Sequence, residues 1–220
     1  MKLIITIDGP AGSGKSTVSR ILAKRFGYLY LDTGAMYRAV ALQAAREGRS
    51  LADRRALRRL CMGLDLQFRS ENGENRLFLS GEDISEAIRS PEMDRLSSTL
   101  SAYKEVRKIM TKIQRRLGSE GGVVAEGRDM GTIVFPEAEF KFFLTADLEV
   151  RAQRRYLERT IRGESVCLEN VKKDLIERDQ QDTNRVLSPL RPAEDAVTID
   201  STYLNADEVV DIMLKMIREG

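Results

Sequence analysis

The chain has 220 residues, 42% hydrophobic and 32% charged, with 36 basic side chains against 34 acidic ones and a formal charge of +2. That length and balance fit a globular unit with a sizeable core, and they argue against nucleic-acid binding driven by bulk charge. The sequence contains no histidine, which excludes a histidine base, a Ser-His-Asp triad and any histidine metal ligand.

Cys61 and Cys167 lie far apart with no second ligand nearby, so neither a disulfide nor a metal site is expected and the reading is a reducing cytoplasm. The longest apolar run falls well short of the roughly 18 residues of a membrane span. No membrane or nucleic-acid partner is expected, and a monomer is the default. Arginine outnumbers lysine 26 to 10. Its rigid fork suits bidentate phosphate contacts, although a codon bias would give the same excess.

In chain order, residues 3–8 form an apolar run too short for a signal peptide, and read as a buried strand. Gly9-Pro10-Ala11-Gly12-Ser13-Gly14-Lys15-Ser16-Thr17 follows and opens a helix over 15–26. The string fits G-x-x-x-x-G-K-[ST] in the strand-to-helix context that gives this motif its meaning. Glycines let backbone N–H groups fold around phosphate oxygens. The helix N-terminus adds positive charge. Lys15 would reach the β- and γ-phosphates of ATP, and the Ser16 hydroxyl would ligate Mg²⁺.

A second strand over 28–32 leads into Asp32-Thr33-Gly34-Ala35-Met36-Tyr37-Arg38 and a helix over 35–47. Thr33 can hydrogen-bond at that helix start, and Arg38 falls one turn on. A phosphate could sit between them, or the pair could be a plain cap and a solvated arginine. A helix over 53–62 precedes a hairpin: 64–68 alternates, Asn72-Gly73 turns, and 76–79 returns. The string 79–83 reads as a turn. A helix over 104–117 and strands over 123–126 and 140–145 follow. Two more helices cover 148–162 and 168–181, and the first carries Arg151, Arg154, Arg155 and Arg159 as one basic stripe. That stripe either faces phosphates or pairs with acids. A strand over 197–200 precedes a helix over 205–218, with Asn205 and Glu208 spaced as a cap.

Strands alternating with helices give an α/β, doubly wound parallel sheet of five strands. About ninety residues separate the second strand from the third and about fifty separate the fourth from the fifth, where ordinary connections run about 2–6 residues around one helix. The expected division is a core of 1–34, 120–147 and 186–220, a substrate-side excursion over 35–119 with its small antiparallel sheet, and an arginine-rich lid over 148–185. No Asn-Lys-x-Asp guanine reader is present. A nucleotide-dependent switch, or a kinase for another small acceptor such as UMP or shikimate, would use the same core.

Thr33-Gly34-x-Met36-x-Arg38 beside such a loop resembles the nucleoside monophosphate kinases, with Ala35 where adenylate kinases carry Asp. The longer string 32–38, with Glu126-Gly127-Arg128-Asp129-Met130-Gly131-Thr132 and Arg178-Asp179-x-x-Asp182-x-Asn184-Arg185, is similar to the bacterial cytidylate kinases, and the likeness runs from about residue 3 to the C-terminus. Glu126 stands where some members carry Asp. The resemblance implies a P-loop kinase with an enlarged NMP-binding subdomain and a short lid. The implied reaction moves the γ-phosphate of ATP, with Mg²⁺, to CMP and dCMP in pyrimidine metabolism. It implies that Thr33, Tyr37 and Arg38 line the CMP site, and that Arg128 joins Arg38 on the acceptor phosphate. Ser98, Arg107 and Asp129 would contact cytosine with Arg185 close by, while Arg178 and Asp182 would hold the ribose hydroxyls. Arg155, with Arg151, Arg154 or Arg159, would cover the transferring group. For Asp129, an internal salt bridge to Arg128 or Arg107 is the alternative.

Overall fold

The computed structural model describes residues 2–71 and 74–219. Five parallel strands form the central sheet: β1 (Ile4–Asp8), β2 (Leu29–Asp32), β6 (Val123–Gly127), β7 (Phe140–Thr145) and β8 (Val197–Asp200), in the spatial order β2-β6-β1-β7-β8. All five expected strands are present, within a residue of the expected ends. Burial explains their apolar runs: β6 is buried on both faces, whereas β8, at the sheet edge, buries only Ile199 of its four residues. Along β6, Val123 and Ala125 face one core while Val124 faces the other, and in β2 Leu31 and Tyr30 divide in the same way.

One face is covered by α1 (Lys15–Phe26) and α8 (Ala206–Glu219), through Val18, Leu22, Val210 and Met213. The expected cap of α8 is present. Asn205 Oδ1 accepts from Glu208 N, and Glu208 Oε2 accepts from Asn205 N. The other face is covered by α2 (Thr33–Arg46), α3 (Arg54–Met62) and α5 (Lys104–Leu117). The small sheet of β3 (Leu66–Glu71), β4 (Glu74–Leu79) and β5 (Glu82–Asp83) packs Leu66, Leu77 and Leu79 into that same core. Residues 35–119 therefore share one continuous apolar core with the main sheet.

The hairpin pairs Leu66 with Leu79 through to Glu71 with Glu74; the expected turn at Asn72-Gly73 lies outside the described residues. The string 79–83 turns at Ser80 and Gly81, both at positive φ, as expected. Several local expectations change; the second hairpin strand starts at Glu74 and the helix from Leu168 runs on to Asn184. The first hairpin strand lies at 66–71, two residues later than expected. The helix expected from Ala35 begins at Thr33, because the Asp32 carboxylate accepts from Ala35 N at 2.7 Å and is itself the cap. A helix not expected at all, α4 (Pro91–Ser101), opens with Ser90 as cap and proline in its first turn. Finally α6 (Leu148–Ile161) and α7 (Leu168–Asn184) pair over a small core of Ala152, Val171 and Leu175.

Candidate active site

The phosphate loop ends on Gly14, at φ 90, and passes into α1. Two of its glycines have no substitute. A Cβ on Gly9 would stand 2.0 Å from the Leu144 carbonyl oxygen, and one on Gly12 would stand 2.8 Å from that of Arg151. Lys15 is buried and donates from Nζ to Pro10 O at 2.6 Å and to Ser13 Oγ at 3.3 Å. Burial first, then the nearby Arg128 charge, lowers its pKa to about 7. The loop is anchored from behind. Ser201 Oγ donates to Ser13 O at 3.1 Å, and Arg151 donates to Ala11 O at 3.1 Å, to Ala146 O at 3.0 Å and to Asp179 at 2.6 Å.

The loop forms one end of a cleft of about 1160 Å³. Of the residues singled out in the sequence, Ala11 to Thr17, Arg38, Ser98, Arg128, Arg154, Arg155, Arg159 and Arg178 line it. Arg38, in the second turn of α2, lies 3.3 Å from Asp32 and 3.7 Å from Asp94. Arg128 donates from Nε to Asp182 Oδ2 at 2.8 Å. Burial opposes ionisation of Asp182, but Arg128 and Arg178 outweigh it and hold its carboxyl below the usual range. Arg178 makes no ion pair within 4 Å among the described residues; burial, then Arg128, pulls its pKa down. Ser98 Oγ donates to Gln181 Oε1 at 2.9 Å, joining α4 to α7.

Thr33, Tyr37, Arg107, Asp129, Asp182 and Arg185, like Gly9 and Pro10, are not in the cleft lining. Thr33 does not serve the helix start. Its hydroxyl donates to Glu126 O at 2.7 Å, since Asp32 already fills the cap. Arg107, Asp129 and Arg185 form a buried cluster. Arg107 donates to the Asp129 carboxylate and to Ser101 O, and Arg185 lies 3.8 Å from Asp129 and 3.6 Å from Asp182. Asp129 is thus ion-paired to Arg107, and Arg128 turns instead to Asp182. Arg185 Nη2 is buried with no hydrogen-bond acceptor among the described residues. Tyr37 flanks the cluster, its ring centroid 5.8 Å from the Arg107 guanidinium carbon; burial pushes its hydroxyl pKa up to about 12, against the pull of Arg107.

The expected arginine stripe divides by direction. Arg151 points to the back of the phosphate loop and is absent from the cleft lining. Arg154 binds Ser201 O at 2.7 Å, Arg159 pairs with Glu164 and Asp174, and Arg155 pairs with Asp94 and with Glu158 at 2.7 Å. The acids were within reach of the sequence reading as an alternative, and they take these arginines in part.

Three carboxylates not singled out by function also shape the site. Asp8 accepts from Met130 N at 2.9 Å and Gly131 N at 2.8 Å and so fixes the π-helical turn Met130–Val134 behind Arg128 and Asp129. Burial raises its pKa to about 6 against those two N–H bonds. Glu126 accepts from the Tyr30 hydroxyl, and burial, then Asp32, raises its pKa. Its Oε2 is buried with no partner among the described residues, and the Ser16 hydroxyl lies alongside the carboxylate. A hydroxyl with one unfilled carboxylate oxygen suits a small hard cation. Such a cation keeps most of its ligands as water and substrate phosphate. The residues present therefore fit Mg²⁺. Asp94 completes the set, and α4, which carries it, was the helix missed. The Ser90-Pro91 start and the acidic Glu92 and Asp94 were its sequence signal.

A family model described as cytidylate kinase matches residues 5–219. The chain belongs to the cytidylate kinase family. It is a kinase of the nucleotide-binding P-loop class. A cytidylate kinase of Geobacter sp. (strain M21) is 49% identical over 99% of this chain and 93% of its own. One of Syntrophotalea carbinolica is 50% identical with the same coverage. Among solved structures, a shikimate kinase of Bacteroides thetaiotaomicron superposes with a TM-score of 0.50 at 10% identity, covering 98% of both chains. An uncharacterized protein of Eubacterium ventriosum gives 0.53 at 12% identity over the whole of both chains. These two share the fold alone. No helix among the described residues is long and apolar enough to cross a membrane.

Proposed function

We propose that this kinase transfers the γ-phosphate of ATP to CMP, and to dCMP, giving ADP and the corresponding diphosphate within pyrimidine metabolism. The observation that carries the acceptor reading is the buried Arg107–Asp129–Arg185 cluster behind Arg38 and Arg128. Cytosine offers an N4 amino donor, which the Asp129 carboxylate can accept, and N3 and O2 acceptors, which arginine forks can meet. Arg185 Nη2 is a buried donor still in need of an acceptor. Uracil reverses the polarity at positions 3 and 4, and a site that hydrogen-bonds a substrate edge rejects such an analogue by orders of magnitude. Relatives named cytidylate kinase support the same choice.

The phosphate loop would hold ATP by its backbone N–H groups, with Lys15 swinging from Pro10 O to the phosphates. Ser16 and Glu126 would hold Mg²⁺, which when bound neutralises and orients the phosphates. Arg38 and Arg128 would hold the acceptor phosphate, Arg178 and Asp182 the ribose, and Thr33, Tyr37 and Ser98 would shape the acceptor pocket. The nucleophile is an oxygen of that phosphate, whose second pKa is near 6. It is ionised at neutral pH, so no general base is needed. What remains is to bring two polyanions into line, and Lys15 with the cleft arginines supplies the countercharge. Residues 148–185 would close as the lid. Their own core is only Ala152, Val171 and Leu175 with a few half-buried neighbours, the mark of an element that opens locally.

The test is a coupled ADP-release assay with ATP and Mg²⁺ on CMP, dCMP, UMP, AMP, GMP and shikimate. Fast turnover confined to CMP and dCMP is expected. Preference for another acceptor overturns the cytosine reading and leaves the kinase.

A further inference from the structure

Asp94 sits in α4 with its carboxylate on the cleft wall, between arginines from two other elements. Its Oδ1 lies 3.7 Å from Arg38 Nη1 of α2, and its Oδ2 accepts a charge-assisted bond from Arg155 Nη2 of α6. The same carboxylate acts on Arg178 of α7. Other acids also face these groups. Arg38 has Asp32 at 3.3 Å, and Arg155 has Glu158 at 2.7 Å. Asp32 is committed to capping α2 and Glu158 is Arg155's neighbour on one helix, so of these acids Asp94 is the one that bridges Arg38 on the acceptor side and Arg155 on the lid side, beside the neutral Ser98–Gln181 link from α4 to α7. A phosphate reaching Arg38 and Arg155 must compete with a carboxylate already there.

Building on the acceptor assignment above, we propose that Asp94 is an internal anion that sets the entry threshold of the Arg38–Arg155 site. A single-charged anion offers these arginines little more than the Asp94 carboxylate does. A phosphomonoester dianion, with close to two charges and three acceptor oxygens, outcompetes it. Asp94 thereby keeps the site closed to the monovalent and weakly held anions of the solution, which do not meet the cost of displacing it, while a dianionic phosphate monoester does. It also ties α4 to α6 until such a group arrives. The step is an exchange of ion pairs, and no bond is made or broken.

The alternative role for Asp94 is to stabilise the N-terminal turn of α4, which also holds Glu92. The test separates the two. With ADP at saturation on the phosphate loop, the thermal midpoint is followed against inorganic phosphate at constant ionic strength. The wild type, Asp94→Asn and Glu92→Gln are compared. Removing a charge-assisted competitor is expected to lower the half-saturating phosphate about tenfold in Asp94→Asn, with no change in Glu92→Gln. Asp94→Ser serves if the amide disturbs folding. The KM for CMP should fall in the Asp94 variants without a rise in kcat. Equal half-saturation in wild type and both Asp94 variants overturns the proposal. The phosphate titration needs no acceptor turnover. If CMP is not phosphorylated yet the tenfold shift is seen, the acceptor reading fails and the role of Asp94 stands.

Discussion

Lys15 Nζ donates to the carbonyl of Pro10 at 2.6 Å, five residues back in the same loop. The lysine is held by its own loop in a buried site where its pKa falls to about 7. A lysine with a lowered pKa is protonated below about 7 and largely neutral at pH 8. A triphosphate beside it favours the charged form and pulls the pKa back up. ATP binding should therefore take up about one proton at pH 8 and about none at pH 6. Calorimetry in buffers of different ionisation enthalpy reads this directly. The uptake should vanish in Lys15→Met. Zero uptake at pH 8 in the wild type contradicts the account.

Asp8 gives a pH dependence of the opposite chemical type. Its folded pKa of about 6 lies above the ordinary aspartate value of 3.8. Between those values the folded chain holds a proton that the unfolded chain has lost. Stability from this group is thus full below about pH 4, falls as pH rises, and is lost above about pH 6. Asp8→Asn removes the charge but also one of the two acceptors for Met130 and Gly131. The variant should compare least well with the wild type in acid. Relative to wild type it should lose on the order of 1 kcal/mol between pH 7.5 and pH 5. Urea unfolding at the two pH values measures the difference, and a pH-independent difference rules out Asp8 as the titrating group.

The five strands and most helices were legible because their signal is burial, which shapes sequence over many residues. β1 and β6 are covered on both faces and β7 buries Phe142 and Leu144 in one core, so their apolar runs stand out. α4 was not legible for the same reason in reverse. Its buried positions are Met93, Ser97 and Leu100, and a serine at one of three core positions breaks the apolar period. The motif residues were legible as a set, and the Asp129–Arg107 pair stood as an alternative, yet most of the other partners were not. Nothing in the spacing of Arg151, Arg154, Arg155 and Arg159 says that the first turns back to Ala11 while the third meets Asp94. Those choices depend on side-chain direction and on acids from distant segments. The capping of α2 by Asp32, which freed Thr33 for Glu126 O, is the same kind of choice.

Asp129 is the residue on which base choice is expected to turn. Replacing it by alanine would leave Arg107 and Arg185 buried with less countercharge, a loss of about 3–5 kcal/mol for a broken buried pair. Asp129→Asn keeps the volume and one acceptor, and is the better probe. It should reduce the CMP-over-UMP ratio of kcat/KM at least tenfold while changing the KM for ATP less than twofold, because amide and carboxylate differ at the donor edge. Steady-state rates on both acceptors decide it. An unchanged ratio rejects Asp129 as the reader.

Arg151 offers the complementary case on the donor side. It is buried, and its guanidinium joins Ala11 O of the phosphate loop, Ala146 O after β7 and Asp179 of α7. Lysine cannot reproduce that fork. Arg151→Lys should leave Ala11 O or Asp179 short of a donor, at about 1–3 kcal/mol for an unmade charge-assisted bond. The loop is then less well fixed where ATP phosphates bind, while Arg38, Arg128 and the Asp129 cluster lie elsewhere. The expected result is a severalfold rise in the KM for ATP, a lower thermal midpoint and an unchanged KM for CMP. A rise in the CMP KM alone would instead place Arg151 over the acceptor, against the direction its side chain takes.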